Sequence, residues 1–217
     1  MSTELDLSHF EELRRRVNGR LRELGTANAE LQITHYPWLY GALGAVPSDV
    51  MFVCENPSLS GVARAHVQTI DGNQPDIEAQ WWGGPRNAAA VRFRVALHEL
   101  GLKTTPPSAR GGWNCYITNV VKEANIVKDQ RKLDVRERRA QAVHWADLLS
   151  WELTQVRPRY VFAVGGQAAM ALRHLRKHRL IPNVPVSPIC HYSARASHQT
   201  VIDEMAGGVG RTMEATA

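Results

Sequence analysis

The chain has 217 residues, 44% hydrophobic and 22% charged, which is enough to fold as one ordinary domain without metals or disulfides. Its formal net charge is +5 and its pI is about 9.4, a balance that favours a polyanionic partner if the charge is clustered on one face. Three widely spaced cysteines (Cys54, Cys115 and Cys190) do not form a disulfide framework, and the absence of any CxxC pair argues against a zinc ribbon or a four-cysteine iron–sulfur site.

Residues 1–10 are acidic and polar, unlike a signal peptide or a basic transit peptide. No apolar run approaches the roughly 20 residues that cross a bilayer. We therefore expect a soluble, cytoplasmic, monomeric protein with no membrane contact. A single domain is predicted over residues 1–217, with a helical region at about 5–46, a core at about 50–206 and a frayed tail at 207–217.

The first half of the chain predicts a helix, a buried strand and a second helix. Apolar residues recur at helical spacing from residue 5 to about 33, with a break near residue 25. The apolar run at 50–54 is short and is followed by a turn-forming Asn-Pro-Ser, which predicts a buried strand. Residues 61–86 are rich in Gly, Pro, Asn and Gln and predict a long functional loop, after which a helix extends to about residue 100.

The second half continues this alternation. The predicted strands cover residues 115–118, 159–164 and 184–190, and the predicted helices cover about 144–153, 167–178 and 195–205. The last strand contains prolines and is therefore placed at a sheet edge. Strands that alternate with helices indicate an α/β fold, here a three-layer α/β/α sandwich around a mainly parallel four-stranded sheet.

Polar residues stand directly after each predicted strand. In parallel sheets, ligands bind beyond the carboxyl ends of the strands. These ends carry Glu55-Asn56, Asn119, Gly165-Gly166 and His191-Tyr192-Ser193. The sequence therefore predicts that these side chains converge on one ligand.

Four segments, in this order and at these strand ends, resemble the uracil-DNA glycosylase superfamily. They are residues 54–58 (CENPS), 114–122 (NCYITNVVK), 157–166 (RPRYVFAVGG) and 191–193 (HYS). The second and third are similar to the bacterial branch that carries an iron–sulfur cluster, and Asn56 stands where the mismatch-specific thymine/uracil branch has asparagine. The resemblance spans about residues 50–198. It implies a uracil-DNA-glycosylase-like fold and a DNA glycosylase that flips out a uracil-like, damaged or modified base and hydrolyses its N-glycosidic bond.

The chain departs from that pattern at two positions. Glu123 stands where the iron–sulfur branch has a cysteine, and the chain lacks the other cysteines that a cluster needs. We expect no iron–sulfur cluster, no metal and no other cofactor. Tyr192 replaces the usual proline after the histidine, which could change how the DNA strand enters the site.

Three residues are implied to be catalytic. Asn56 would position the attacking water, since the leaving base departs early and positioning with electrostatics can carry the reaction. Glu55 is a rival for this role, because it could activate water or balance the cationic sugar. His191 would donate a hydrogen bond to the base O2, where negative charge develops. The structural alternatives are a turn at Asn56, a solvated carboxylate at Glu55 and a packing role for His191.

Five residues are implied to contact the base. Asn119 would read its edge, because a side-chain amide offers both a donor and an acceptor. Trp81, Trp82 or Tyr192 would stack on it, unless they are packing anchors. Ser58 stands where strict uracil enzymes have a tyrosine that blocks the 5-position, so 5-substituted pyrimidines or larger modified bases are predicted to enter.

Contacts to the DNA strand are expected from Ser193, Arg195, Lys122 and Ser60. Ser193 would bind a phosphate or cap a helix, and Arg195 would fill the gap left by the flipped base. Lys122 would hold a backbone phosphate, although charged runs are usually solvated. Two other functions stay open: a non-catalytic DNA-binding relative, and a hydrolase of free nucleosides. The sequence also leaves open the identity of the base, the preference for single- or double-stranded DNA, and whether the enzyme serves repair or defence.

Overall fold

The computed structural model describes residues 7–35, 42–57, 69–70, 74–75, 88–125, 127–192 and 197–214. The helices in these ranges are α1 (Leu7–Leu24), α2 (Ala27–His35), α3 (Ala88–Glu99), α4 (Val127–Gln130), α5 (Val135–His144), α6 (Ala146–Val156), α7 (Gly166–Lys177) and α8 (His198–Glu214). The strands are β1 (Leu43–Gly44), β2 (Val50–Cys54), β3 (Thr69–Ile70), β4 (Gln74–Pro75), β5 (Tyr116–Asn119), β6 (Tyr160–Val164) and β7 (Val186–Ile189).

A five-stranded sheet in the order β1-β5-β2-β6-β7 lies at the centre of the fold, and β3 and β4 form a separate two-stranded sheet. Strands β5, β2, β6 and β7 run parallel, which confirms the predicted mainly parallel sheet. Every residue of β2, β5 and β6 is buried, as expected for strands covered on both faces. The proline-containing β7 lies at one edge, as predicted.

The fifth strand, β1, is antiparallel to β5 at the other edge, and the sequence did not predict it. It has two residues, too few to show an alternating pattern. Gly44 has a φ of 125°, and a Cβ there would lie 2.0 Å from the Cys115 carbonyl oxygen. A glycine is therefore required for the two backbones to approach this closely.

The helices lie in two layers because the crossover from β2 to β5 runs across the sheet in the opposite direction to the crossovers from β5 to β6 and from β6 to β7. Helix α3 connects β2 to β5, α5 and α6 connect β5 to β6, and α7 connects β6 to β7. Right-handed crossovers that run in opposite directions put their helices on opposite faces of a sheet. Consistently, α3 packs against α8, whereas α5 packs against α6 and α7, and α1 packs against α2 and α6. This arrangement confirms the predicted three layers.

The C-terminal helix is longer than predicted. A frayed tail was expected from residue 207, but α8 continues to Glu214. Val209 is 1% exposed, and Gly208 packs against Ile189 of β7. The tail prediction is wrong for residues 207–214 because these apolar contacts hold the last turns on the sheet. Residues 215–217 lie outside the described ranges.

Candidate active site

A crevice is expected at the carboxyl end of β2, where the fold places its topological switch. The connections that follow β2 and β6 cover opposite faces of the sheet, and these two strands are neighbours in it. Ligands of open α/β sheets bind at such points. The residues after β2, β5, β6 and β7 therefore meet at one edge, as the sequence predicted.

The loops that follow β2 and β5 are joined beyond the end of the sheet. Cys54 pairs with Asn119 in the parallel register. The Val120 amide donates to the Cys54 carbonyl at 2.9 Å, and the Val121 amide donates to the Glu55 carbonyl at 2.9 Å. Asn119 is 2% exposed. These bonds place Asn119 beside the Glu55-Asn56 pair in a fixed backbone frame.

The side chain of Asn56 is partly held by its own turn. Its Nδ2 donates to the Pro57 carbonyl at 3.0 Å, and the residue is half-buried. This contact is the turn that the sequence raised as a structural alternative. It does not compete with a role in positioning water, because it engages the amide donor and leaves the Oδ1 acceptor.

Glu55 lies in a tight polar cluster. Its Oε1 accepts hydrogen bonds from Arg138 of α5 and, at 3.1 Å, from Gln130 of α4. The Arg138 Nε also donates to the Leu133 carbonyl at 3.2 Å. The side chains of Glu55 and Arg138 are 25% and 12% exposed. The charge-assisted hydrogen bond from the guanidinium fixes the position of this carboxylate and occupies its Oε1.

His191 lies against Gly165 at the ends of β7 and β6. A Cβ at Gly165 would lie 3.1 Å from both Cβ and Cδ2 of the histidine, and Gly165 has a φ of 88°. Burial lowers the pKa of His191 from its usual 6.5, so the imidazole stays neutral near pH 7. A neutral imidazole donates through one ring nitrogen only.

Tyr192 points into the fold. Its ring stacks on Phe93 of α3 at 5.0 Å and on His191 at 4.3 Å between centroids. Its hydroxyl shares a hydrogen bond with the Cys54 thiol, and burial raises the tyrosine pKa well above 10. Stacking on a base would require the ring to leave these contacts. The residue instead connects β7 to β2 and α3 beneath the crevice.

The phosphate role predicted for Lys122 is wrong. Its side chain is 0% exposed, and its Nζ forms an ion pair with Glu152 of α6, which is also 0% exposed. The Nζ also donates to the Thr118 hydroxyl and, at 2.7 Å, to the Asn119 carbonyl. An ammonium group with these partners has no path to a phosphate. Lys122 holds the backbone of Asn119 from below.

The ion pair belongs to a longer buried network. The Glu152 Oε1 accepts from the Tyr116 hydroxyl at 2.8 Å and from the Thr118 hydroxyl at 2.6 Å. The Tyr116 hydroxyl also lies 3.0 Å from the His9 Nε2 of α1. A continuous set of hydrogen bonds therefore extends from the first helix to the end of β5.

Helix α2 fixes the segment after Asn119. The buried Gln32 donates to the Lys122 carbonyl at 3.0 Å and accepts from the Ala124 amide at 2.8 Å. Glu123, in the position where a cluster cysteine would stand, accepts from the Thr26 hydroxyl at 2.6 Å. This residue therefore anchors the turn between α1 and α2.

Six of the predicted site residues are not among those that the structure describes. Trp81, Trp82, Ser58, Ser60, Ser193 and Arg195 lie outside the described residues. Of the described candidates, the structure brings Glu55, Asn56, Asn119 and His191 to the same edge of the sheet.

Three neighbours of the site were missed by the sequence. Arg138 lies in a charged run that showed no partner, and Glu152 lies 30 residues from Lys122. Gly165 was predicted to lie at a strand end, but not to be the residue whose missing side chain leaves room for His191. Glu152 on the apolar α6 was the one sequence signal for the ion pair with Lys122, because a buried acid needs a partner.

The three cysteines are free thiols: Cys54 and Cys115 are buried and Cys190 is half-buried. Burial raises the pKa of Cys54 to about 12 and that of Cys115 still further. In the described part of the chain, no group of three or more His, Cys, Asp or Glu side chains could hold a metal ion. None of the described helices is both long and apolar enough to cross a membrane.

Comparison with known proteins gives one finding. The family model of the Uracil DNA glycosylase superfamily matches residues 42–205, most of the chain. The match begins at β1 and ends within α8. A search of curated proteins returned no match.

Proposed function

Because the chain belongs to the uracil-DNA glycosylase superfamily, we propose that it takes a flipped-out base into the crevice beyond β2, β5 and β7 and hydrolyses its N-glycosidic bond. Membership supports DNA glycosylase activity and DNA binding in general. The observation that carries the finer proposal is the convergence of Asn56, Asn119 and His191 at one edge of the sheet. The product would be an abasic site.

Asn56 positions the attacking water in this proposal. Its Nδ2 is engaged by Pro57, so its Oδ1 is the atom available to accept a hydrogen bond from water. The water oxygen bonds to C1′ of the sugar, and the bond between C1′ and the base breaks with its electrons moving to the base. The proton of the water leaves to solvent or to the departed base. Such a dissociative reaction needs a placed water more than a strong base.

Glu55 contributes charge in this scheme and does not act as the base. Its carboxylate already pairs with Arg138 and Gln130, which supports Asn56 over Glu55 for holding the water. A fixed carboxylate near the site still favours the positive charge that develops on the sugar.

His191 stabilises the departing base. Because burial keeps its imidazole neutral near pH 7, one ring nitrogen can donate to the base O2 as negative charge develops there. Asn119 reads the opposite edge of the base through its side-chain amide. Lys122 fixes the backbone of Asn119, because its Nζ donates a hydrogen bond to the Asn119 carbonyl.

Three of the predicted contacts to the DNA strand lie outside the described ranges. We keep Ser60, Ser193 and Arg195 as contacts to the strand, and Trp81 and Trp82 as candidates to stack on the base. These assignments rest on the resemblance to the family.

Small Ser58 supports a substrate class beyond plain uracil. We propose that thymine, hydroxymethylated pyrimidines or larger modified bases enter the pocket. The check is base release from duplexes that carry uracil, thymine or 5-hydroxymethyluracil, with Ser58→Tyr as the comparison. The variant should keep uracil and lose the substituted bases, whereas wild-type activity on uracil alone would contradict the proposal.

The decisive experiment is a panel of single- and double-stranded oligonucleotides, each with one altered base, assayed for abasic sites. Asn56→Ala should lower base release by about 100-fold or more while DNA affinity stays unchanged, because one positioned contact is worth that much. Asn114→Ala is the matched control, since Asn114 is exposed and lies before β5, at the amino edge of the sheet. Release from no oligonucleotide would refute the glycosylase, and DNA binding without release would indicate a non-catalytic relative.

A further inference from the structure

A stretch of fifty residues, 153–202, contains no aspartate or glutamate. It carries seven lysines and arginines, and α7 lies within it. The basic character of the chain is therefore concentrated in one segment. The second half of α7 contributes three of the seven, Arg173, Arg176 and Lys177, and two histidines, His174 and His178, lie at positions close to them in the chain.

The basic residues of α7 line a cavity of about 270 Å³ between α5 and α7. Its walls are formed by Arg139, Met170, Arg173, His174, Lys177 and His178. Five of these six side chains are cationic or become so on protonation, and none is acidic. Within the described part of the chain, Arg139, Arg173 and Lys177 form no ion pair.

Two neighbouring histidines lie in this cavity among its cationic side chains. The rings of His174 and His178 lie 4.5 Å apart. Partial burial, His178, Arg139 and Lys177 together lower the pKa of His174 from 6.5. Cations held close together without counter-ions repel one another, and an anion placed among them relieves that repulsion.

The cavity lies about two turns of α7 away from the candidate active site. Arg138 of α5 contacts Glu55 in the crevice, and the next residue, Arg139, lines the cavity. Along α7, His174 is about 12 Å from Gly166 at the edge of the crevice, at 1.5 Å for each residue. A DNA strand whose target base lies in the crevice would have neighbouring phosphates at such distances.

We propose that this cavity is a binding site for a phosphate group. Guanidinium groups match phosphate oxygens in pairs, lysine supplies a point charge, and protonated imidazoles add donors. A cavity of about 270 Å³ is smaller than sites for drug-sized ligands, which suits a phosphate more than a whole nucleotide. The phosphate belongs either to the DNA backbone beside the target base, which rests on the function proposed above, or to a free phosphate ester.

The first test uses inorganic phosphate and NMR of the histidine side chains at constant ionic strength. Bound phosphate favours the protonated imidazole, so the proton affinity of His174 should rise about tenfold, one pKa unit, and the change should saturate. Arg173→Gln/Lys177→Gln should abolish the change. Arg22→Gln/Arg211→Gln removes the same charge at exposed sites on α1 and α8 and should leave it intact. A linear, non-saturating response in wild type overturns the proposal.

The second test identifies the source of the phosphate. A DNA oligonucleotide with normal bases is added to the phosphate-loaded protein. If the site binds the DNA backbone, the oligonucleotide should displace phosphate. The slope of log DNA affinity against log salt concentration should then be smaller by about two in Arg173→Gln/Lys177→Gln than in wild type. DNA that binds without displacing phosphate assigns it to a free phosphate ester. Abasic-site formation by Arg173→Gln/Lys177→Gln is measured separately at saturating DNA. Base release that persists in this variant shows that the phosphate site can be lost without loss of the glycosylase.

Discussion

At the scale of single residues, His191 is placed by the missing side chain of Gly165. A methyl group there would lie 3.1 Å from the histidine, and the φ of 88° strains any other residue. Gly165→Ala should therefore displace the imidazole and lower base release by about 100-fold, since small misplacements have effects of that size. DNA affinity should change little.

Gly166→Ala is the matched control, because nothing lies within 4 Å of a Cβ at that position. Base release should be measured under single-turnover conditions, with affinity followed by fluorescence anisotropy. Equal rates for the two variants would mean that Gly165 does not position His191.

Single residues also show where the sequence was informative. The position of Asn56, Asn119 and His191 at one edge of the sheet was predicted because each lies at or just after the end of a strand, and strand ends are visible in one sequence. Lys122 was misassigned because its partner, Glu152, is 30 residues away. The residues next to a lysine do not show whether it lies in a polar loop or in a buried ion pair with a distant partner.

At the scale of elements, the buried ion pair between Lys122 and Glu152 joins the segment after β5 to α6. Lys122→Met leaves the Glu152 carboxylate buried and unpaired, which should reduce the free energy of unfolding by about 3–5 kcal/mol. Lys122→Met/Glu152→Gln should recover much of that loss, because the orphaned charge is gone. Urea denaturation measures both.

Lys103→Met serves as the comparison for burial alone. Lys103 is also 0% exposed, but it bonds to the Thr105 hydroxyl and the Gly111 carbonyl, both at 2.6 Å. Both acceptors are uncharged, so the loss of these two hydrogen bonds leaves no carboxylate unpaired and should reduce stability less. A larger loss for Lys103→Met than for Lys122→Met would show that the ion pair is not the main stabilising contact.

The C-terminal helix gives a second prediction at this scale. Deletion of residues 208–217 removes the buried Val209 and the contact between Gly208 and Ile189. It should lower stability by at least the roughly 1.5–3 kcal/mol that one buried aliphatic side chain contributes. Deletion of residues 215–217 is the control, and calorimetry compares the two. Equal melting temperatures for the two deletions would mean that residues 208–214 add no stability, as expected for a frayed tail.

Elements were otherwise well predicted where they are long and apolar. The strands at 50–54, 116–119 and 160–164 were found within a residue or two, since fully buried strands are continuous apolar runs. Two-residue β1 carries no pattern, and the last turns of α8 contain small residues that read as a loop. Both depend on tertiary contacts that no local pattern shows.

At the scale of the whole molecule, charge separates a DNA enzyme from a hydrolase of free nucleosides. The net charge of +5 is concentrated by the acid-free stretch at 153–202. We expect affinity for an oligonucleotide to fall at least about tenfold between 50 and 200 mM salt, since each phosphate contact releases counter-ions. Anisotropy titrations across that range are the measurement, and a flat response would favour the nucleoside hydrolase.

The uneven burial of the three thiols offers a way to observe the molecule at work. Cys54 and Cys115 are enclosed, whereas Cys190 is half-buried and precedes His191 in the chain. A maleimide reagent should therefore modify the folded chain once, at Cys190, and the labelled peptide can be identified by mass spectrometry. A fluorophore or spin label there would sit one residue from the imidazole and report arrival of the substrate without any engineered cysteine.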